Sequence, residues 1–194
     1  MSVISENDRW LLSFYRTSEI SGALFFGRLA KSLPAGPIQT DLTKHFADES
    51  QHAWYWTRCL DTLGEAPMKL PSAYQDQYLA AAGMPTNVME ILGITLIFEK
   101  RVIGQYNLHR QLPNIHPEIK KTIELITEDE KWHIQWVTNA LKGLETEYGE
   151  EHVRATLRRF READQEVYKK TIAEHEDRIR HVLTKQTQSG DYES

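Results

Sequence analysis

The sequence predicts an all-α fold of four long helices, paired as two hairpins joined by a long crossover, with a further long helix on the C-terminal side. Three observations carry this. Apolar residues recur at helical spacing along nearly the whole 194-residue chain. No sustained alternation of the kind a half-buried strand needs is present. The helix breakers fall at a few places only: Pro34-Ala-Gly-Pro37, the segment Gly64 to Pro85, the turn Pro113 to Pro117, and Gly149.

The first helix runs from about Asn7 to Leu33, where Pro34 and Pro37 break it. A second follows to about Leu63 and stops at Gly64. The segment from Gly64 to Pro85 holds three prolines and two glycines around a short helix, Ala73 to Ala81, and is long enough to cross the length of a bundle. Thr86 or Asn87 can cap a third long helix that ends near Leu112. Pro113 to Pro117 turns the chain into a fourth, reaching about Tyr148. After Gly149 a last helix spans roughly Glu150 to Lys185, and the polar residues 187–194 are expected to be a disordered tail. Residues 1–186 are thus expected to form a single helical domain, with the bundle in about 7–148, long enough to bury a sizeable core.

Two of these helices carry the same spelling, Asp48-Glu49-Ser50-Gln51-His52 and Asp129-Glu130-Lys131-Trp132-His133. Each is paired with a Glu on the preceding long helix, Glu19 and Glu99. Residues three apart share a helix face, so each E-x-x-H offers a carboxylate and an imidazole to one point. A single such motif arises easily by chance on a solvated face; two, each with an upstream Glu, describe a dinuclear metal site. The turns make this a geometric statement. Pro34 lies 15 residues after Glu19 and 15 before Glu49, while Asn114 lies 15 after Glu99 and 16 before Glu130. At about 1.5 Å rise per residue, the two ligands of each hairpin sit at one height, roughly 20 Å from their turn.

Helical phase agrees. The Glu19 face carries Leu12, Tyr15, Gly22, Phe26 and Leu29; the Glu49 and His52 face carries Leu42, His45, Trp56 and Cys59. Leu92, Leu96, Ile103 and Tyr106 accompany Glu99, and Ile123, Ile126, Val137 and Leu141 accompany Glu130 and His133. Four carboxylates in such surroundings would be very costly without cations to neutralise them. Four carboxylates with two imidazoles suit iron or manganese better than a thiolate-preferring metal.

Composition narrows the function classes. A net charge of −5 without a concentrated basic stripe argues against nucleic acid as a partner. No apolar run reaches membrane-spanning length, the nearest being Ile91 to Phe98, and the N-terminus lacks the basic-then-apolar order of a secretory signal, so a cytoplasmic protein without membrane contact is expected. The single cysteine, Cys59, cannot form an internal disulfide, a four-cysteine metal site or a C-x-x-C pair.

These residues resemble the ferritin-like di-iron carboxylate superfamily, which includes ferritins, bacterioferritins, rubrerythrins and several oxygenases. The resemblance covers about Asn7 to Tyr148 and implies a ferritin-like four-helix bundle. It also implies that Glu19 and His52 hold one metal, that Glu99 and His133 hold the other, and that Glu49 and Glu130 bridge them. Asp48 and Asp129 would each accept a hydrogen bond from the free ring nitrogen of the opposite helix's histidine, fixing its tautomer. Departures limit the resemblance. Val102 and Ile103 stand where rubrerythrins carry a further carboxylate, and one cysteine excludes an attached rubredoxin-type iron. Ser50 stands where bacterioferritins place a haem-ligating Met, so no haem is expected, and the long last helix is unlike the short fifth helix of ferritin cages.

Other residues have two readings each. Tyr15 and Tyr106 either hydrogen-bond a carboxylate or relay an electron, or are core tyrosines; His45, one turn before Glu49, is an accessory acid or base, or a satisfied core or surface histidine. Gly22 either leaves room for O2 or a substrate, or permits close helix packing. His109, His116, His152, His175 and His181 lack a partner at ligand spacing and are expected at the surface. Beyond the metal ligands no catalytic residue is singled out.

The expected function is a non-haem di-iron oxidoreductase that activates O2 or peroxide at a carboxylate-bridged pair of Fe ions to oxidise a small-molecule substrate. Mn or a mixed Mn/Fe pair would fit the same donors, an external electron donor is required, and a homodimer is an allowed assembly. The rivals are a ferroxidase or peroxidase in iron handling or peroxide defence, and a metal-free structural bundle. Substrate and donor are illegible, because one ligand set on one fold serves many chemistries.

Overall fold

The computed structural model describes residues 3–183, which form seven helices, with no strand among the described residues. Helix α1 spans Glu6–Ser32 and opens on a capping box: Asp8 N donates to Ser5 Oγ at 3.0 Å, and Ser5 N donates to Asp8 Oδ2 at 3.2 Å. It ends before Pro34. Helix α2, Pro37–Thr62, starts with proline at its first position and stops where Gly64 takes φ 74°. The crossover contains α3, Tyr74–Ala82, which ends on Gly83 at φ 81°. Helix α4, Val88–Arg110, is capped by Asn87, whose side chain accepts from Glu90 N at 2.9 Å. Helix α5 spans Pro117–Tyr148 and is separated by Gly149, φ 85°, from α6, Glu150–Glu174.

The last helix differs from the sequence expectation. Instead of one helix over 150–185, the chain breaks at His175 and continues as α7, Glu176–Leu183. The break lets α7 fold against the start of α1. The His175 ring packs on Trp10 at 4.7 Å, Arg178 pairs with Glu6 at 2.9 Å, and His181 Nε2 lies 3.0 Å from Asp8 Oδ1. Ile179 and Val182 thereby join the apolar cluster around Trp10. The expected tail, 187–194, lies outside the described residues.

Helix α1 packs along α2, α4 along α5, and α2 also meets α5. Two apolar clusters reveal the directions. One gathers the N-terminal half of α1 (Leu11, Leu12, Tyr15), the C-terminal end of α2 (Trp56, Leu60), the C-terminal half of α4 (Val102, Tyr106) and the N-terminal half of α5 (Ile119, Ile123, Ile126). The other gathers the opposite halves: Phe26 and Ala30, Leu42, Leu92 and Leu96, Trp136 and Leu141. The partners within each hairpin are therefore antiparallel, and the two hairpin turns lie at opposite ends. The crossover leaves α2 at the first cluster, through Leu63, and enters α4 at the second, through Met89. It must run the length of the helices, as its spacing predicts. Along this route α3 packs on α6, where buried Tyr74 donates to Asp164 Oδ1 at 2.7 Å and Arg101 pairs with the same carboxylate. No helix among the described residues is long and apolar enough to cross a membrane.

Candidate metal centre

Between the two apolar clusters lies a layer of buried polar side chains, one set from each of four helices: Glu19 from α1, His45, Glu49 and His52 from α2, Glu99 from α4, and Glu130 and His133 from α5. None is more than 2% exposed. They fall into two groups of potential ligand atoms, each group within 4.8 Å: Glu19, Glu49, His52 and Glu130 in one, and His45, Glu49, Glu99 and His133 in the other. The structure thus brings all six sequence-derived candidates together, with Glu49 common to both groups.

His52 and His133 turn the same nitrogen inward. His52 Nδ1 lies 3.2 Å from Glu130 Oε1 and 3.9 Å from Glu19 Oε2. His133 Nδ1 lies 3.2 Å from Glu130 Oε2 and 3.7 Å from both Glu49 Oε1 and Glu99 Oε2. Glu130 therefore presents one oxygen to each histidine. The outward nitrogens face the aspartates across the helix pair: His52 Nε2 lies 3.3 Å from Asp129 Oδ2, and His133 Nε2 lies 3.3 Å from Asp48 Oδ2. Asp48 is also paired with Lys44 at 2.5 Å.

Burial drives the carboxyls apart in character. Burial, followed by the neighbouring carboxylates Glu19, Glu99 and Glu130, pushes Glu49 well above the ordinary carboxyl range. Burial and Glu130 do the same to Glu99, and burial raises Glu19 against the opposing charge of His52. Glu130 is the exception. Burial would raise it too, but His133 and His52 beside it outweigh that and hold it well below. Burial opposes charge on His52 and His133, yet Asp129 and Glu130 push the first up to about 10, and Glu130, Asp48 and Glu99 push the second higher still.

Fitness for metal can be read from what is left unpaired. Glu49 Oε2, Glu130 Oε1 and both oxygens of Glu99 have no hydrogen-bond partner among the described residues, and neither has His52 Nδ1. Such groups are costly in a dry interior, whereas cations between them would engage every one. The donor set, rich in oxygen with imidazole nitrogen and no thiolate, suits iron or manganese. The residues fit a pair of such ions.

Tyr106, one of the two candidate tyrosines, donates its phenolic hydrogen to Glu19 Oε1 and accepts from Trp56 Nε1 at 3.0 Å. Tyr15 instead sits among aromatic rings, 5.0 Å from Tyr106 and 5.2 Å from Trp56. Gly22 packs directly beneath Glu49: a Cβ added there would lie 2.6 Å from Glu49 Oε2. Two small cavities flank this wall of the site, one of about 20 Å³ touching Gly22, Phe26 and Phe98, the other of about 10 Å³ touching Glu19 and Tyr106.

One histidine falls among the positions the sequence left open for it, and another departs from the sequence expectation. His45 lies inside the polar layer, its Nε2 3.0 Å from Glu99 Oε1 and 3.3 Å from Glu49 Oε1. The signal for it was present, since it shares the helix phase of Glu49. His109, expected at the surface, is 1% exposed beside the Tyr15 ring, because the C-terminal end of α4 is covered by α7 and the start of α1. Ile103, expected beside Glu99, is only half-buried, and its neighbour Val102 takes the inward position.

Compared with family models, curated proteins and solved structures, the chain matches none.

Proposed function

We propose that the chain is a ferritin-like, non-haem dinuclear metalloprotein that acts as an oxidoreductase on O2 or peroxide. The observation that supports this best is the closed layer of buried, partly unpaired carboxylates and imidazoles between two apolar clusters. Two Fe ions bound there would supply redox electrons and Lewis acidity for the reduction of O2 or peroxide. The chain's own part is positioning. Glu19 and His52 would hold one ion, Glu99 and His133 the other, with Glu49 and Glu130 between them. Asp48 and Asp129 fix the rings by their outer nitrogens, and Tyr106 restrains Glu19. Trp56, Ile123 and Ile126 on one side, and Phe26, Leu96 and Val137 on the other, exclude water from the layer. The four helices would then form a ferritin-like bundle whose core is the metal layer, with α6 and α7 packed outside it. An external donor would return electrons after each cycle.

A second reading, in which peroxide or Fe(II) is itself the substrate, draws support from the size of the flanking cavities, which have room for little more than a small molecule. Anaerobic loading with Fe(II) followed by rapid mixing with O2 and, separately, with peroxide separates the readings. About two metals per chain are expected. Less than half that would sink the metalloprotein, fast peroxide turnover without an organic substrate would favour the second reading, and a requirement for an organic substrate the first.

A further inference from the structure

The two metal positions in this reading are not equivalent, because one of them has an imidazole that the other lacks. His45 lies four residues before Glu49; the residue four before Glu130 is Ile126, fully buried in the apolar cluster. The second hairpin therefore shows what this position holds when it is only a core residue. In the first hairpin the position carries a histidine that is 0% exposed and aimed into the carboxylates.

Its surroundings are those of a ligand. Nε2 lies 3.0 Å from Glu99 Oε1 and 3.3 Å from Glu49 Oε1, without the alignment of a hydrogen bond to either. His45 also offers a ring nitrogen within 4.8 Å of the donor atoms of Glu49, Glu99 and His133. The ring is clamped between others, stacked on His133 at 3.7 Å and tilted against Phe26 at 4.1 Å, with Trp136 edge-on at 5.8 Å. Stacking fixes its plane, yet its Nδ1 has no hydrogen-bond partner among the described residues, unlike the Asp-held nitrogens of His52 and His133. A histidine present only to support Glu99, as Tyr106 supports Glu19, would make an aligned hydrogen bond.

We propose that His45 is a third imidazole ligand, binding through Nε2 the divalent metal held by Glu99, His133 and Glu49, so that this ion carries two imidazoles and its neighbour one. The proposal rests on the dinuclear reading above. Without a carboxylate behind Nδ1 to raise its basicity, His45 is the most displaceable of the three imidazoles. The two ions then differ in affinity and in ease of opening a coordination position.

The test is titration of the full chain with Co(II) under anaerobic conditions, following bound stoichiometry and visible absorption, for the wild type, His45→Phe and His45→Gly. Phenylalanine keeps the stack on His133 and the ring contact with Phe26, and circular dichroism of the metal-free protein checks that it folds. Wild type binding no Co(II) would refute the dinuclear reading itself. With two ions bound by the wild type, His45→Phe is expected to keep one and bind the other roughly 10- to 100-fold more weakly. In His45→Gly, added imidazole is expected to restore the second ion. Wild-type affinity and spectrum in a folded His45→Phe, or failure of imidazole to restore His45→Gly, would overturn the proposal. A measurement that needs no variant is the count of paramagnetically shifted imidazole N–H signals in the Co(II)-loaded wild type labelled with ¹⁵N-histidine: three support the proposal, and two overturn it.

Discussion

Asp48 Oδ2 lies 3.3 Å from His133 Nε2, and the same distance separates Asp129 Oδ2 from His52 Nε2, so each motif's aspartate serves the other motif's histidine. The two contacts are not equally sheltered. The Asp48 side chain is 19% exposed and braced by Lys44, whereas that of Asp129 is 42% exposed. A sheltered carboxylate holds its imidazole more firmly, because water competes less for it. Asp48→Ala is accordingly expected to weaken metal binding about 10- to 100-fold, and Asp129→Ala less. Competition against a chelator of known affinity measures both. Equal losses, or a larger one at Asp129, would refute the ordering.

Gly22 tests how tightly the wall of the site is built. A methyl group there would stand 2.6 Å from Glu49 Oε2, close enough that the carboxylate must move. The substitution also replaces a mid-helix glycine with the best helix former, a gain of about 1 kcal/mol. Gly22→Ala should therefore leave the metal-free protein as stable as before, or more so, while lowering its affinity for metal. Thermal melts with and without Fe(II) separate the two effects. A variant equal to wild type in both would mean that Glu49 has another rotamer at no cost.

The all-helical fold and the convergence of six donor atoms were legible because both depend on periodicity, and spacing along a helix converts directly into direction. What was not legible depends on neighbours distant in sequence. His109 looks like a surface histidine within α4, and only the turn at His175, which brings α7 onto the start of α1, buries it. That turn has no proline or glycine to announce it; the contact of the Trp10 and His175 rings and the Glu6–Arg178 pair stabilise it across the chain. His45 was in phase with Glu49, but phase alone could not show that its nitrogen reaches Glu99 on another helix. Tyr106 likewise could be placed near a ligand, but not assigned to Glu19 of α1 rather than to Glu99 of its own helix.

Glu49 separates the needs of stability from those of binding. Burial and three nearby carboxylates raise it well above the ordinary range, so in the metal-free protein it keeps its proton to higher pH than an ordinary carboxyl does, and so does Glu99. Metal must displace these protons, so affinity should rise with pH and loading should release acid. Calorimetry in two buffers of different ionisation enthalpy reads the release directly. Glu49→Gln imitates the protonated form, and its metal-free melting temperature is expected to match or exceed that of the wild type while the gain on adding Fe(II) disappears. Destabilisation by several degrees without metal would show instead that the Glu49 carboxylate supports the fold.

His109 sets an acid limit on stability that is independent of the metal layer. Burial lowers it from the usual 6.5 to about 4, against the pull of Asp8 and with help from the charge of His181. Between those two values the unfolded chain binds the proton that the folded chain refuses. Stability from this group is complete above pH 6.5 and falls as the pH is lowered, by at most about 3 kcal/mol on reaching pH 4. Asp8 acts in a lower window. Burial opposes its charge, but hydrogen bonds from His181 and Ser5 hold it at about 2, so its contribution is lost only as the pH falls below 3.8 toward that value. Urea unfolding with chelator present, at several pH values from 4 to 7, should show wild-type stability rising across the window relative to His109→Phe. The difference should level off above pH 6.5, since a phenylalanine of similar shape has no proton to gain. A constant difference between the two proteins over that range would mean that His109 does not titrate on unfolding, and that the cover provided by α7 opens before the rest of the fold.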